Sequence, residues 1–384
     1  MSDDVRPSTA AADTGHLAAL AAFDRMTVAR LRVLLHERTP GEAYAIAAGQ
    51  DRPPAGVLAA MFARDDGLAS RWRAEAARHR PETYRQRCAD AGVSVVVPAD
   101  PHFPAQLLGD PACPAVLFVQ GDIRVLDARR VGIVGTRNAT RHGRATAARF
   151  GAELAAEGVV VVSGLARGVD GAAHRGALSV EGSRPVGIVG NGLDRPYPRE
   201  HATLWADVAR RGALISEWPP GIPPDPFRFP LRNRILAALV EVLVVVESRE
   251  RGGSLITAVE AGRRDVDLMA VPGSVHSPAS AGTNRLLRDG AAPANETADV
   301  LVALGLDHRR AGRARFDPRP APRGVAAQIV EACRTRPRTL DGVVELTGLP
   351  LDEAAMAVAR LERDGWLADA GGWFEAIDQW ADLA

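Results

Sequence analysis

The sequence predicts an α/β fold built on a parallel sheet covered on both faces, and three observations predict it. Short continuous apolar runs recur through the middle of the chain, at 131–134, 159–163, 186–189, 213–217, 242–247 and 268–271. Segments able to form helices separate these runs, with turn signals at each junction. The run at 158–162 then breaks directly into Ser163-Gly164-Leu165-Ala166-Arg167-Gly168-Val169-Asp170, which reads as a buried strand, a glycine turn and a helix start. Ligands of such sheets bind outside the carboxyl ends of the strands. The functional residues are therefore expected in the turns that follow them.

Around this core the pattern changes twice. Residues 1–90 are rich in Ala, Leu and Arg, and Val28-Ala29-Arg30-Leu31-Arg32-Val33-Leu34-Leu35 spaces its apolar positions as a helix does, so a small helical domain is expected. The segment 91–306 opens with strand-like runs at 93–97 and 115–119 before the alternation begins. Prolines and six arginines against one aspartate over 309–323 suit an extended linker, placed at 307–323. Beyond it, 325–334, 340–347 and 351–364 are helix candidates, followed by a Gly371-Gly372 turn between apolar residues. That arithmetic is a winged helix over 324–384. Its last helix carries four acids and two arginines over 352–364, which argues against reading DNA and for a protein-contact or regulatory role.

At 384 residues, 46% hydrophobic and 24% charged, the chain has a globular composition and the length for more than one core. No apolar run approaches the roughly 20 residues that span a bilayer. The start, Met1-Ser2-Asp3-Asp4, shows no basic region leading into an apolar one, so a cytoplasmic protein is expected. Cys88, Cys113 and Cys333 lie far apart without CxxC or histidine spacing, which suggests neither disulfides nor zinc. A formal net charge of zero speaks against a nucleic-acid partner for the chain as a whole, yet 20 arginines face 16 acidic residues between 131 and 290. All 47 cations are arginines. This excludes a Walker or Schiff-base lysine and favours forked contacts to phosphates and stacking on bases, although most of the bias reflects overall composition.

Each turn offers its own chemistry. Gly135, Thr136, Arg137 and Asn138 follow the first core strand, where backbone N–H groups, a hydroxyl and a guanidinium fork suit one phosphate. The spacing is not GxGxxG, so a dinucleotide is poorly supported. Gly164, Ala166, Arg167 and Gly168 form the second cradle, although a tight turn with a surface arginine accounts for the same string. Phe229, Arg232, Asn233 and Arg234 crowd a helix start at Pro230, the ingredients of single-strand binding or of an aromatic staple beneath a solvated basic face. Gly253, Ser254 and Thr257 open the helix after 242–247 as a further anion cradle. Asp170 and His174 share a helix face, where a structural hydrogen bond is expected. No serine has a nucleophile-elbow context, no cluster has metal spacing, and no cofactor is implied.

In order along the chain, these strings resemble the DprA/Smf family of DNA-processing proteins. The resemblance is carried by Phe103-Pro104 with Leu107-Leu108, Pro114 and Gly121-Asp122, by Ile133-Val134-Gly135-Thr136-Arg137, and by the string from Ser163 through His174. It continues in Gly190-Asn191-Gly192-Leu193-Asp194 with Tyr197-Pro198, in Phe229-Pro230-Leu231-Arg232-Asn233-Arg234-Ile235, and in Gly253-Ser254-Leu255-Ile256-Thr257-Ala258. Val271-Pro272-Gly273 with Gly282-Thr283-Asn284 and Asp289-Gly290-Ala291 completes it. The resemblance implies an extended Rossmann-like domain that binds single-stranded DNA without catalysis, usually as a homodimer, and hands the strand to the RecA recombinase in natural transformation. It also implies a helical N-terminal domain, here a degenerate SAM or helix-hairpin-helix type. Ala22-Phe23-Asp24-Arg25-Met26-Thr27 stands where a Gly-x-Gly turn would lie, which leaves DNA contact by residues 1–90 unsupported. The rival expectation is an enzyme of the related phosphoribohydrolase class. Gly252, Gly253, Thr257 and Glu260 echo its motif, but Arg251 replaces the proline and Leu255-Ile256 displaces the glutamate.

Overall fold

The computed structural model describes residues 11–306 and 322–377. They fall into two compact units, Met1–His308 and Arg309–Ala384. All of the expected linker except its last two residues lies outside the described residues.

The first unit begins with six helices, α1 (Ala11–Ala22), α2 (Val28–Leu35), α3 (Pro40–Ala47), α4 (Val57–Arg64), α5 (Leu68–Arg78) and α6 (Pro81–Asp90). Local chemistry sets their ends. The Thr27 side chain accepts the Arg30 N–H, and Thr39 and Glu42 close a capping box around Pro40 at the start of α3. Leu17, Leu20, Leu34, Tyr44 and Trp72 are buried in one cluster with Phe118, Val189, Trp205 and Leu214. The helical segment and one face of the sheet thus share a single apolar core.

Nine strands form the sheet: β1 (Ser94–Val96), β2 (Leu117–Gly121), β3 (Arg130–Val134), β4 (Val160–Ser163), β5 (Val186–Ile188), β6 (Ala213–Ser216), β7 (Val242–Val245), β8 (Asp267–Ala270) and β9 (Ala292–Pro293). Their spatial order is β1-β2-β6-β5-β4-β3-β7-β8-β9. From β6 to β9 every pairing is parallel, while β2 runs antiparallel to β6 and β1 to β2. Most strands end one or two residues inside the apolar runs that announced them, because the pairing continues as single bonds into the turns. Val246 N–H donates to the Val134 carbonyl at 3.0 Å and Val189 N–H to that of Ile215 at 2.9 Å.

Helices α7 (Ala105–Leu108), α8 (Arg141–Ala156), α9 (Val169–Leu178), α10 (Ala202–Arg211), α11 (Arg228–Leu239), α12 (Gly253–Gly262), α13 (Ala281–Arg288) and α14 (Thr297–Ala303) complete the unit. One sheet face buries Val162, Ile188 and Val245 with Ile235 and Leu236 of α11 and Ala258 of α12. The other buries Ile133, Val161 and Val244 with Phe150 and Leu154 of α8 and Ala173 of α9. Both faces are covered, which is why the strands read as continuous apolar runs and not as alternating ones.

The second unit packs α15 (Val325–Thr335), α16 (Leu340–Thr347) and α17 (Leu351–Arg363) against a three-stranded antiparallel sheet of β10 (Arg338–Thr339), β11 (Leu367–Asp369) and β12 (Trp373–Ala376), ordered β10-β12-β11. Ile329, Val330, Val343, Val358, Leu361 and Trp366 form its core.

Candidate functional site

The strand order reverses at β3, with β4, β5 and β6 on one side and β7, β8 and β9 on the other. Beyond β3 and β7 their two turns diverge and leave a crevice, the place where open α/β sheets hold ligands. Here it is an open cavity of about 480 Å³. Gly135, Thr136, Arg137, Asn138, Ala166, Phe229, Arg232, Asn233, Gly253, Ser254 and Thr257 all line it, so four separate turns converge on one place.

Side-chain geometry divides these residues into those turned to the cavity and those that build it. Arg137 is exposed, its guanidinium 4.9 Å from the Phe229 ring centroid. Phe229 also stacks on Tyr197, with centroids 5.5 Å apart and planes 26° apart. Tyr197 is 41% exposed and lines the cavity, as do Arg249 and Arg251, both exposed. None of Arg137, Arg249 and Arg251 pairs with a carboxylate among the described residues. Tyr197, Arg249 and Arg251 join the site beyond the residues expected from sequence. The two arginines lie in the turn between β7 and α12.

Arg232 lines the cavity but is only 5% exposed. Its guanidinium donates to the carbonyls of Ile188 and Gly164, bracing the end of β5 against the turn after β4. A Cβ at Gly164 would lie 2.1 Å from that guanidinium, so glycine is what admits the brace. Burial pulls the Arg232 pKa down to about 10, with Asp170 opposing and Arg137 adding to the fall, so it stays charged at neutral pH. Asp170 is buried too, and that burial raises its pKa against the pull of Arg232. Nε of Arg232 has no hydrogen-bond partner among the described residues.

Of the four arginines expected at these turns, Arg137 and Arg232 meet at the cavity, whereas Arg167 and Arg234 do not join them. Arg167 clasps Glu200 through two bonds of 2.6 Å each and does not line the cavity. Arg234 lies on the opposite side of α11, donating to Glu217 and, at 2.7 Å, to the Ala112 carbonyl. Helix phase is the reason: residues 229, 232, 233 and 236 of α11 meet the cavity, whereas 231 and 234, with Phe227 just before the helix, line a different one.

The glycine turns also differ from expectation in detail. After β3, the Thr136 N–H donates to the Glu247 carbonyl at 2.7 Å, and the Glu247 carboxylate takes the Thr140 N–H at 2.9 Å and the Thr140 hydroxyl at 2.5 Å. The chain's own carboxylate thus occupies the start of α8, while Gly135, Thr136, Arg137 and Asn138, where a phosphate was expected, line the cavity. Gly168 has φ of +75° and sits where a Cβ would meet the Thr136 carbonyl at 2.2 Å, so it locks the first two turns together and does not reach the cavity. Beside it Leu165 holds φ of +55°, a strained conformation for leucine, steadied by His201 Nδ1 donating to its carbonyl at 2.9 Å. By contrast, α12 begins without a side-chain cap at Gly252, and its first turn borders the cavity with free space at Gly253. Ser254 donates to the Ser248 hydroxyl at 2.9 Å and Thr257 is buried.

The expected Asp170–His174 hydrogen bond is absent. His174 is fully buried and neither ring nitrogen makes a hydrogen bond of normal geometry. Burial, aided by His201 and Arg232, lowers its pKa to about 3, with only the Ser163 backbone opposing, so the ring is neutral. Glu260 pairs with Arg263 at 2.7 Å and Arg264 at 2.6 Å and does not line the cavity. Among the described residues no group of His, Cys, Asp and Glu could hold a metal ion, and no helix is long and apolar enough to cross a membrane.

This arrangement can hold a polyanion on three unpaired guanidinium groups and a helix N-terminus, with an aromatic pair for stacking. Comparison with known proteins adds the lineage. The Smf protein of Escherichia coli is 36% identical over 286 residues, 73% of this chain and 76% of its own. The DNA processing protein DprA of Bacillus subtilis is 37% identical over 216 residues, 56% of this chain and 72% of its own. Among solved structures, DNA processing protein A of Streptococcus pneumoniae aligns with TM-score 0.57 and 28% identity over 76% of this chain and 95% of that one. That of Helicobacter pylori, solved for its single-stranded DNA binding mode, aligns with TM-score 0.50 and 29% identity over 56% of this chain and 96% of that one. The family model for DNA recombination-mediator protein A matches residues 94–305, and the chain belongs to that family, the DprA/Smf DNA-processing proteins.

Proposed function

We propose that this protein binds single-stranded DNA, without catalysis, in the cleft at the strand-order reversal, and delivers the strand to the RecA recombinase during DNA uptake and transformation. The observation that carries the reading is the convergence of Arg137, Arg249 and Arg251 with the stacked Phe229–Tyr197 pair at one cavity. Guanidinium groups neutralise phosphates, and an aromatic face accepts any base, which together give sequence-tolerant recognition of an unpaired strand. The single-strand binding mode of the Helicobacter pylori relative supports the same ligand class. Gly164, Gly168 and Arg232 build the cleft, and Ala166, Asn233, Gly253, Ser254 and Thr257 form its wall.

The domains are read as a helical segment 1–90, an extended Rossmann-like domain 91–306, a linker 307–323 and a winged helix 324–384, in a cytoplasmic homodimer. The ion pairs that hold Glu260 away from the cavity favour a binding protein over a phosphoribohydrolase. Incubation with nucleoside monophosphates is expected to release no free base.

Salt titration tests the ligand directly. Three neutralised phosphates give a slope of log affinity against log salt of about −2, at roughly −0.7 per phosphate for single strands. Duplex DNA, whose bases are already stacked, is expected to bind more weakly. A salt-independent affinity, or equal competition by duplex, would overturn the assignment.

A further inference from the structure

Helix α11 separates the cleft from a second cavity of about 660 Å³, walled on its far side by α1, α2 and the turn between them. The phase that turns Phe229 and Arg232 to the cleft turns Phe227, Arg228 and Leu231 to this second space. Phe227 is 57% exposed and Leu231 48%, large apolar exposures for residues at the start of a helix. The Arg228 guanidinium lies 5.1 Å from the Phe227 ring and 5.9 Å from that of Trp218, which also lines the cavity. The feature is an aromatic platform with a cation set among its rings.

The charges around it are unequally satisfied. Three carboxylates line the cavity, and each has a cationic partner. Glu217 is held by Arg234, Glu75 by Arg78 at 3.2 Å and His79 at 3.1 Å, and Asp24 by Arg71 at 3.5 Å. Arg25 is in turn 3.7 Å from Asp65. Arg228 donates one bond, to the Pro223 carbonyl, and its buried Nε has no partner among the described residues. Asp225 acts on Arg228 only from beyond contact distance, so this wall presents a guanidinium without an ion pair among the described residues beside two aromatic rings.

We propose that this second cavity takes a nucleobase, with its neighbouring phosphate at Arg228, from the same single strand that occupies the cleft. The inference rests on the cleft reading and extends it. Both cavities share the first turns of α11, so a strand leaving Phe229 crosses that ridge, about 10–12 Å wide for a helix with its side chains, and meets Phe227 and Trp218. This gives the helical segment 1–90, which lacks the Gly-x-Gly turn, a place on the DNA path through the wall it supplies.

Oligothymidylates from about 4 to 16 nucleotides, the range of single-strand site sizes, test this by competition against a labelled strand on the full chain. The wild-type protein is expected to show a step in affinity once the strand is long enough to cross the ridge. Phe227→Ala and Arg228→Gln are each expected to abolish that step, a loss of roughly 5- to 150-fold for long strands, the range for one base stacked on an aromatic ring. Binding of the shortest strands should be unchanged. A terminal 5-iodouracil on long strands should photocrosslink to Trp218 or Phe227. Unchanged long-strand affinity, an equal loss at every length, or crosslinks confined to Tyr197 and Phe229 would overturn the second site while leaving the cleft standing. Failure of the wild-type protein to bind strands of any length would overturn both.

Discussion

The cleft of the first unit and helix α17 of the second both carry exposed arginines, and they differ in what surrounds those arginines. In the cleft, Arg137, Arg249 and Arg251 have no carboxylate partner among the described residues and stand beside an uncapped helix N-terminus and two stacked rings. On α17 the first turn carries Asp352 and Glu353, the last carries Arg360 and Arg363, and Arg363 lies 3.2 Å from Asp364. Acids at the start and bases at the end complement the helix's own dipole. The charges of α17 thus stabilise the helix that bears them, whereas those of the cleft are left for a ligand. Net charge distinguishes neither surface. Position on the element does.

The largest effect expected from this contrast is at the cleft. Arg137→Ala combined with Arg251→Ala removes two charge-assisted contacts, at about 1.5 kcal/mol each or more. Single-strand affinity should fall on the order of a hundredfold, and the salt slope should drop from about −2 to about −0.7. The paired changes Arg360→Ala and Arg363→Ala on α17 should move neither quantity beyond a few fold. Equal losses from the two pairs would erase the distinction. Phe229→Ala should cost about 1–3 kcal/mol of affinity with little sequence preference. Circular dichroism separates this from unfolding, because Phe229 is only partly buried.

The same contrast marks how much was legible in the sequence. The turns that meet at the cleft are legible because glycine at a close approach leaves a trace: Gly135, Gly164 and Gly168 follow continuous apolar runs that read as buried strands. The partners of the arginines left no such trace. Glu200 lies 33 residues from Arg167 and Glu217 lies 17 from Arg234, and nothing local announces that either carboxylate will fold back onto its guanidinium. Arg232 and Arg234 are two positions apart, yet helix phase sends one beneath the cleft and the other to the far side of α11. Glu247 reads in sequence as the end of a strand, and nothing local announces that its carboxylate will take the start of α8 beside the first turn. Nothing local announces the contact of Tyr197 with Phe229, which joins a loop to the first turn of α11 across 32 positions of sequence.

A smaller effect concerns acid stability. His174 is neutral when folded, with its pKa lowered to about 3 from an ordinary 6.5, so the unfolded chain binds the extra proton between those values. Its contribution is full above pH 6.5 and declines as the pH falls toward 3. Through this ring alone, acidification from pH 7 to pH 5 should cost the first unit about 2 kcal/mol. The second unit contains no histidine and should not share that loss. His174→Leu should flatten the first unit's profile over this window in denaturant titrations at several pH values. A wild-type profile already flat between pH 7 and 5 would show that the ring is not held neutral.

The smallest effect expected is that of removing the second unit. If the charges of α17 serve their own helix, deletion of residues 324–384 should leave single-strand affinity within a few fold, because Arg137, Arg249, Arg251 and Phe229 all remain. The truncation must keep 309–323, since six arginines there add non-specific attraction of their own. Fluorescence anisotropy at two salt concentrations separates the two contributions. Loss of linker arginines would lower the slope, whereas loss of a specific contact would lower affinity at both salts alike. A hundredfold loss, in a truncated protein still folded and of unchanged oligomeric state, would place a DNA contact on the second unit despite Asp352 and Glu353. The contrast between the two surfaces would then have to be redrawn with the basic last turn of α17 as the contacting end.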